Sequence, residues 1–395
     1  MASSSSSADR LFTPRFFLIW SYSFTVFLSA FQLLPTAPFH ILALGGSQLE
    51  AGLFLGLLTY ASACTAPITG AIADRIGKRR VLMIASFAIT VFSVLYAVAP
   101  TYQVILALVL VHGMFWSGLL SSSSSYVLDI VPASRRAEGL GYSGFASVLG
   151  IAIAPGVGLW LFDRGGWSLL CLEAAVLNAI MLGIAWILPP DTPHEHPRSL
   201  HPRDLVEWRV LRGAITLFLY SFSYGAITSF VAVYADQLGV TPRALYFTAF
   251  CLTILVTRPF IGRHADRVGH ARLIVPCLAM IVLGVWTLAA ADSRAMFVVS
   301  ALMFGVGFGS AYPIFVAYLM RHVDERRRGA TFGGLIGAFD TGIGTGSIVV
   351  GWISEHYGFG RGFALAGGVA LLSIPYFLYL ERRGWMASID AGRPQ

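Results

Sequence analysis

The sequence predicts an all-α membrane protein: twelve transmembrane helices in two pseudo-symmetric six-helix bundles. Three observations carry that reading. The first is a duplication. Gly70-Ala-Ile-Ala-Asp-Arg-Ile-Gly-Lys-Arg-Arg80 and Gly262-Arg-His-Ala-Asp-Arg-Val-Gly-His-Ala-Arg272 are near copies, 192 residues apart (262 minus 70). The same offset pairs Thr65 with Thr257, Pro67 with Pro259, and Arg135-Arg136 with Arg327-Arg328. The second is composition: 56% of the 395 residues are hydrophobic and only 12% charged, with a mean hydropathy of +0.72. The third is length, since a crossing needs about 20 mostly apolar residues and runs of that size recur from end to end.

Taken in order, residues 1–15 form a polar, serine-rich tail without the charged start of a cleavable signal. Residues 16–188 hold six apolar runs, near 16–40, 51–70, 81–99, 102–126, 139–161 and 167–188, which make the N-terminal bundle. Residues 189–209, rich in proline and charge, form a linker. The C-terminal bundle, 210–380, holds runs near 210–234, 243–261, 273–291, 295–319, 331–353 and 360–380, followed by a tail at 381–395. Placing both termini on one side puts every one of the 27 Lys and Arg there except Arg164, Arg243, Arg294 and Arg361. By the positive-inside rule that side, with the tails and the linker, is cytoplasmic, and the membrane is the cell's inner (plasma) membrane.

Several classes are excluded. The basic charge is spread over short loops and not gathered on one face, so no nucleic-acid partner is expected. Cys64, Cys171, Cys251 and Cys277 fall within apolar runs without CxxC spacing, and His194, His196 and His201 sit in a proline-rich linker. Neither set reads as a metal site. A phosphate-binding GxxxxGK[ST] loop is missing, which argues against ATP-driven work. No cofactor is expected, and no enzyme chemistry. The partners expected are a small-molecule substrate, protons and the lipid bilayer, with the chain acting as a monomer.

Gly70-x-x-x-Asp74-Arg75-x-Gly77-x-Arg79-Arg80, between the second and third runs, resembles the signature loop of the major facilitator superfamily. A weaker copy, with Gly262, Asp266, Arg267 and Gly269, lies between the eighth and ninth. The likeness covers essentially the whole chain and implies a secondary transporter working by alternating access, in the twelve-span drug/metabolite–proton antiporter branch. It implies that the loops gate the cytoplasmic mouth: Asp74 would face the start of span 11 near Gly329-Ala330-Thr331, Arg75 would pair with Asp129 ending span 4, and Asp266 would lie near the start of span 5. Glycines permit close approach there, and an acid beside an Arg can latch to groups opposite. Gly150-Ile-Ala-Ile-Ala-Pro155-Gly-Val-Gly158 in span 5 resembles the family's antiporter signature, with Ala154 and Leu159 standing where glycine is usual. This points to efflux by proton antiport. Proton symport or facilitated uptake remains open, as does a transport-inactive membrane sensor or scaffold.

Coupling needs a titratable group inside the membrane. Of twenty acidic residues only Glu173 and Asp340 sit well within apolar runs, where a charge costs about 2.5–3.5 kcal/mol on insertion scales and so tends to mark function. Asp340 is nine residues past Thr331, about 13 Å along a helix and near the midplane, and is the first choice for the proton carrier. Glu173 is second. His112, midway along span 4, is a third; the arginine and the following glycine that many exporters of the family carry on this helix are absent, Trp116 standing four residues on. For the cavity, Thr25, Ser29, Gln32, Thr36 and His40 form a polar line along span 1, and Thr216, Tyr220, Tyr224 and Thr228 along span 7. Both lines are expected to face the substrate, with Gln32, Trp116, Tyr220, Tyr224 and Tyr312 as binding residues.

Overall fold

A computed structural model describes residues 11–132, 135–191, 208–320, 323 and 328–385. Local chemistry sets the helix ends. Helix α1 (Pro14–Leu33) starts where the Thr13 hydroxyl accepts from the Phe16 N–H, with proline in the first turn. Expected as one rod over 16–40, the first span breaks after Leu33 because Pro35 and Pro38 cannot donate to the helix, and it resumes as α2 (Ala37–Ala43). A capping box, with Ser47 and Glu50 bonding each other's backbone, starts α3 (Gln48–Ile76). Next come α4 (Lys78–Val98), α5 (Tyr102–Ile130) and α6 (Arg136–Ile187).

The apolar part of α6 runs for 47 residues, about 70 Å at 1.5 Å per residue and twice a bilayer's hydrocarbon core. It is two crossings joined at Gly166, whose φ of +70° breaks the helix. The second half follows as α7 (Trp208–Gln237), α8 (Leu245–Val268), α9 (His270–Ala289), α10 (Arg294–Met320), α11 (Arg328–Tyr357) and α12 (Phe359–Arg382). Counting α1 with α2 as one crossing and α6 as two gives the twelve spans. The expected runs overlie these crossings one for one, overrunning a helix end by at most two residues, at 99, 188, 243 and 291.

The duplication is visible in the backbone. Gly77 (φ +94°) separates α3 from α4, and Gly269 (φ +99°), 192 positions on, separates α8 from α9. Gly166 (φ +70°) and Gly358 (φ +86°) repeat the relation. These are left-handed turns that a side chain would strain. Packing repeats as well. In the first half α1 lies on α6 and α3 on α5, and in the second α7 lies on α11 and α8 on α10. The halves meet chiefly where α3 crosses α11, with a smaller contact of α6 on α8.

Candidate functional site

A cavity of about 430 Å³ lies between the halves, lined by α1, α3, α5, the first arm of α6, α7, α10 and α11. One wall is aromatic: Tyr224 stacks on Phe308 at 4.3 Å between ring centroids, and Phe339 sits 5.9 Å from Phe308 and 5.0 Å from Tyr312. Phe27 meets Trp116 edge-on at 6.1 Å on the opposite wall. Small hydroxyls fill the remainder, among them Ser23, Ser123, Ser124, Ser143 and Ser147. Among the described lining residues Asp340 is the only charged one. Its carboxylate accepts a 2.7 Å hydrogen bond from the Ser62 hydroxyl on α3, so the bond joins one half to the other.

That bond is the deepest of a series along the α3–α11 seam. The Leu49 N–H donates to Glu355 at 3.1 Å, Ser347 donates to the Gly52 carbonyl at 2.8 Å, and the Tyr60 and Thr345 hydroxyls lie 2.8 Å apart. The helices touch so closely that a Cβ on Gly344 would stand 2.5 Å from the Thr59 hydroxyl. The cation-poor end of the molecule is closed further by Arg243, which pairs with Asp163, lies 3.8 Å from Asp236 and covers the Phe39 ring at 5.1 Å. Beneath it Phe39, Leu159, Ala232 and Ala244 pack together. The cavity sits on the cation-rich side of this seal.

The expected binding residues divide. Trp116, Tyr224 and Tyr312 line the cavity. Gln32 and Tyr220 do not; both are buried inside their own halves, Tyr220 edge-on to Phe308 and Phe339. The polar line of span 1 is corrected as a whole, since none of Thr25, Ser29, Gln32, Thr36 and His40 lines the cavity. Thr25 and Thr36 donate back to carbonyls one turn earlier, Gln32 bonds Glu173, and His40 stacks on Trp167. A hydroxyl in lipid finds its acceptor on its own helix, and a polar stripe then needs no cavity. The opposite face, Ser23, Phe27, Phe31 and Leu34, meets the cavity instead. In span 7, Tyr224 and Thr228 reach it while Thr216 and Tyr220 do not.

Of the titratable candidates, only Asp340 is in the cavity. Glu173, on the second arm of α6, receives a 3.4 Å hydrogen bond from Gln32. His112 bonds the Tyr96 hydroxyl at 3.0 Å and stacks on Phe92, and it borders a separate pocket of about 10 Å³ beside Ser29 and Asn178.

At the cation-rich end the charged turn is tied down differently from expectation. Asp129 pairs with Lys78, not with Arg75, which is exposed. The turn at Gly77 aims the start of α4, and with it Lys78, at the end of α5. Arg79 donates to the Ala185 and Trp186 carbonyls that close the second arm of α6. Asp191 caps α4, accepting from the Lys78 and Arg79 N–H groups at 2.5 and 3.0 Å. Gly70 and Asp74 lie on the last turns of α3, Asp74 buried. The expected neighbours Gly329 and Ala330 lie on the first turn of α11, and Gly262, Asp266 and Arg267 on the last turns of α8, while the side chains of Ala330, Asp266 and Arg267 are not among those the structure describes.

In the span 5 motif, a Cβ on Gly150 would fall 3.0 Å from the Leu28 nitrogen, and one on Gly158 would fall 2.7 Å from the Gln32 carbonyl oxygen. These glycines let α1 press onto α6. Pro155, inside the helix between them, leaves one backbone carbonyl unbonded there. Ser62, Asp191, Arg243 and Asp163 were not legible as site residues. An isolated serine or surface acid carries no periodicity or spacing, and only the crossing of distant helices gives each a partner.

The family model described as Major Facilitator Superfamily matches residues 19–246 and 213–393 of the chain. The "Multi-drug resistance efflux pump PmrA homolog" of Lactococcus lactis is 27% identical over 75% of this chain and 77% of its own length. The "Multidrug resistance protein MdtG" of Serratia proteamaculans is 23% identical over 93% of this chain and 94% of its own. Among solved structures, nucleoside transporter NupG superposes with a TM-score of 0.73 at 15% identity, covering 94% of this chain and 100% of that one. The human organic anion transporter MFSD10 (TETRAN) does so with 0.73 at 18%, covering 93% and 100%.

Proposed function

This chain belongs to the Major Facilitator Superfamily, and we propose from that premise that it is a proton-coupled exporter. It exchanges entering protons for an outgoing amphipathic or polar solute of the drug or metabolite kind. The observation that carries the reading is the carboxylate of Asp340, the one charged group among the described residues lining a largely aromatic cavity, bonded across the seam between the halves. A carboxylate there can hold a proton or a cation but not both, so binding one expels the other. That mutual exclusion is antiport at a single site. The aromatic faces of Tyr224, Phe308, Phe339 and Tyr312 attract a desolvated cation, so the preferred solute is a lipophilic monocation. Relatives named as multidrug pumps support export of such molecules.

The positive-inside rule puts the cation-rich end in the cytoplasm, with both termini inside the plasma membrane. The Arg243 seal then closes the outside, and the cavity belongs to an inward-facing state ready to load solute. The turn at Asp74, Gly77 and Lys78, tied to Asp129 and Asp191, braces the inner end of the first half, and Gly262, Asp266, Arg267 and Gly269 would do the same for the second. A proton and a solute that each favour one state by a few kcal/mol are enough to cycle the two. The chain acts as a monomer, each copy enclosing its own cavity.

In proteoliposomes, Asp340→Asn is expected to abolish solute flux driven by a proton gradient while counterflow of labelled against unlabelled solute continues. Proton-driven flux at the parent's rate in this variant would sink the reading.

A further inference from the structure

Gln32 and Glu173 form a pair with one hydrogen atom too few. The Gln32 amide donates to Glu173 Oε1 at 3.4 Å, while Gln32 Oε1 and Glu173 Oε2 are both buried with no hydrogen-bond partner. An ionised carboxylate has only acceptors and so does an amide oxygen. If Glu173 carried its charge here, two buried acceptors on bonded side chains would both be left without a hydrogen, one of them anionic and inside the bilayer. An unmet buried acceptor costs about 1–3 kcal/mol and a charged one more. Exchanging the amide's nitrogen and oxygen does not help, because the count of hydrogens is unchanged.

Among the described residues Glu173 has no compensating cation. The titratable groups on the surrounding elements are Tyr96 on α4, His112 on α5, His40 on α2 and Cys171 on its own arm. Tyr96 and His112 bond each other, His40 stacks on Trp167, and Cys171 is buried. None is hydrogen-bonded or ion-paired to Glu173 among the described residues, and no charged side chain faces it.

We propose that Glu173 is a second proton-binding site, loaded in this state, whose proton closes a two-bond ring with Gln32. The acid O–H donates to the amide oxygen and the amide N–H donates to the acid carbonyl. Both orphaned atoms are then satisfied by a single hydrogen. The site is outside the solute cavity, so its proton is one that solute does not displace by contact. The link to the moving parts is mechanical. Gly158 lies against Gln32, where a Cβ would stand 2.8 Å from its Cα. The loaded pair thereby fastens α1 to the second arm of α6 at the point where the glycine motif lets α1 meet the first arm.

Use of this proton in the cycle rests on the transport reading; its presence does not, and the test separates them. Infrared spectra of the full chain in lipid nanodiscs at neutral pH are expected to contain the carbonyl band of a protonated carboxyl that shifts in D₂O. Glu173→Gln, which keeps a neutral donor and acceptor, removes that band; Asp340→Asn leaves it in place. Gln32→Met deprives the acid O–H of its acceptor and moves the same band to higher frequency. Spectra in which Glu173→Gln loses no carboxyl band overturn the proposal, as does a Gln32→Met band at the parent frequency, which keeps the test decisive if the first variant fails to fold. Proton-driven flux persisting in Asp340→Asn would overturn the transport reading and leave these spectra untouched.

Discussion

A single carboxylate past the end of span 6 shows how much a turn depends on one side chain. Asp191 accepts from two N–H groups at the start of α4, where Gly77 has turned the chain and no neighbour supplies an acceptor. Asp191→Ala removes a helix N-cap, which costs about 1 kcal/mol, and is expected to lower the midpoint of thermal unfolding without altering which solute is carried. A solvent-exposed acid behaves differently. Arg135 donates two 2.8 Å bonds to Glu138 and holds its carboxyl below the ordinary value. A carboxyl depressed in the folded chain contributes above its unfolded value and loses that contribution as pH falls through the folded one. The Glu138 carboxyl, followed by carbon-13 NMR, is therefore expected to remain ionised at mildly acid pH and to titrate higher in Arg135→Gln. At this scale the sequence was partly legible. The charged turn announces itself by its repeat, and Asp340 by its isolation in an apolar run. Which base meets Asp129 does not, because Arg75 and Lys78 lie one helical turn apart and the break at Gly77 reorients the second of them.

At the scale of helices the two crossings that build each half are set by small residues. Gly150 and Gly158 bring α1 onto α6, and Gly342, 192 positions after Gly150, lets α11 close on Phe218 of α7. Overpacking such a contact costs about 1–3 kcal/mol. Gly158→Val is expected to lower the inactivation temperature in detergent sharply. Gly156→Ala, whose new Cβ would meet only the Ala244 Cβ at 3.9 Å, is expected to match the parent. The motif was visible as a pattern of glycines, but that Gly342 makes the matching close contact in the second half comes from the structure alone. The break in span 1 was also foreseeable from Pro35 and Pro38, although an unbroken apolar run masks it. The direction of the polar stripe was not: periodicity places residues on one face, but a helix surrounded by others has polar neighbours on more than one side.

The whole molecule is two bundles that share the α3–α11 seam and a lock at the cation-poor end. Gly156 and Ala244 lie on opposite halves beside that lock, and a Cβ on Gly156 would stand 3.9 Å from that of Ala244, which suits a disulfide, for which about 3.8 Å is typical. In a Cys64→Ser background, Gly156→Cys with Ala244→Cys is expected to stop flux under oxidation and to recover it with reductant. Uninterrupted flux in the fully cross-linked protein would show that the halves need not part here. Arg243→Ala, measured by thiol labelling of a cysteine at Phe27, is expected to raise access to the cavity from the cation-poor side several-fold.

Composition, span length and the 192-residue offset determined by themselves that this chain is a duplicated helical bundle in a membrane, since lipid leaves a backbone no other way to satisfy its polar groups over so many apolar runs. The same sequence determined that Asp340 is out of place unless it works. Only the tertiary structure decided that Asp340 meets Ser62 across the seam, that Gln32 turns from the cavity to Glu173, and that Arg243 locks one end. Those partners come from helices far apart in the chain, and contact between such helices depends on crossing points and rotations that no local pattern records.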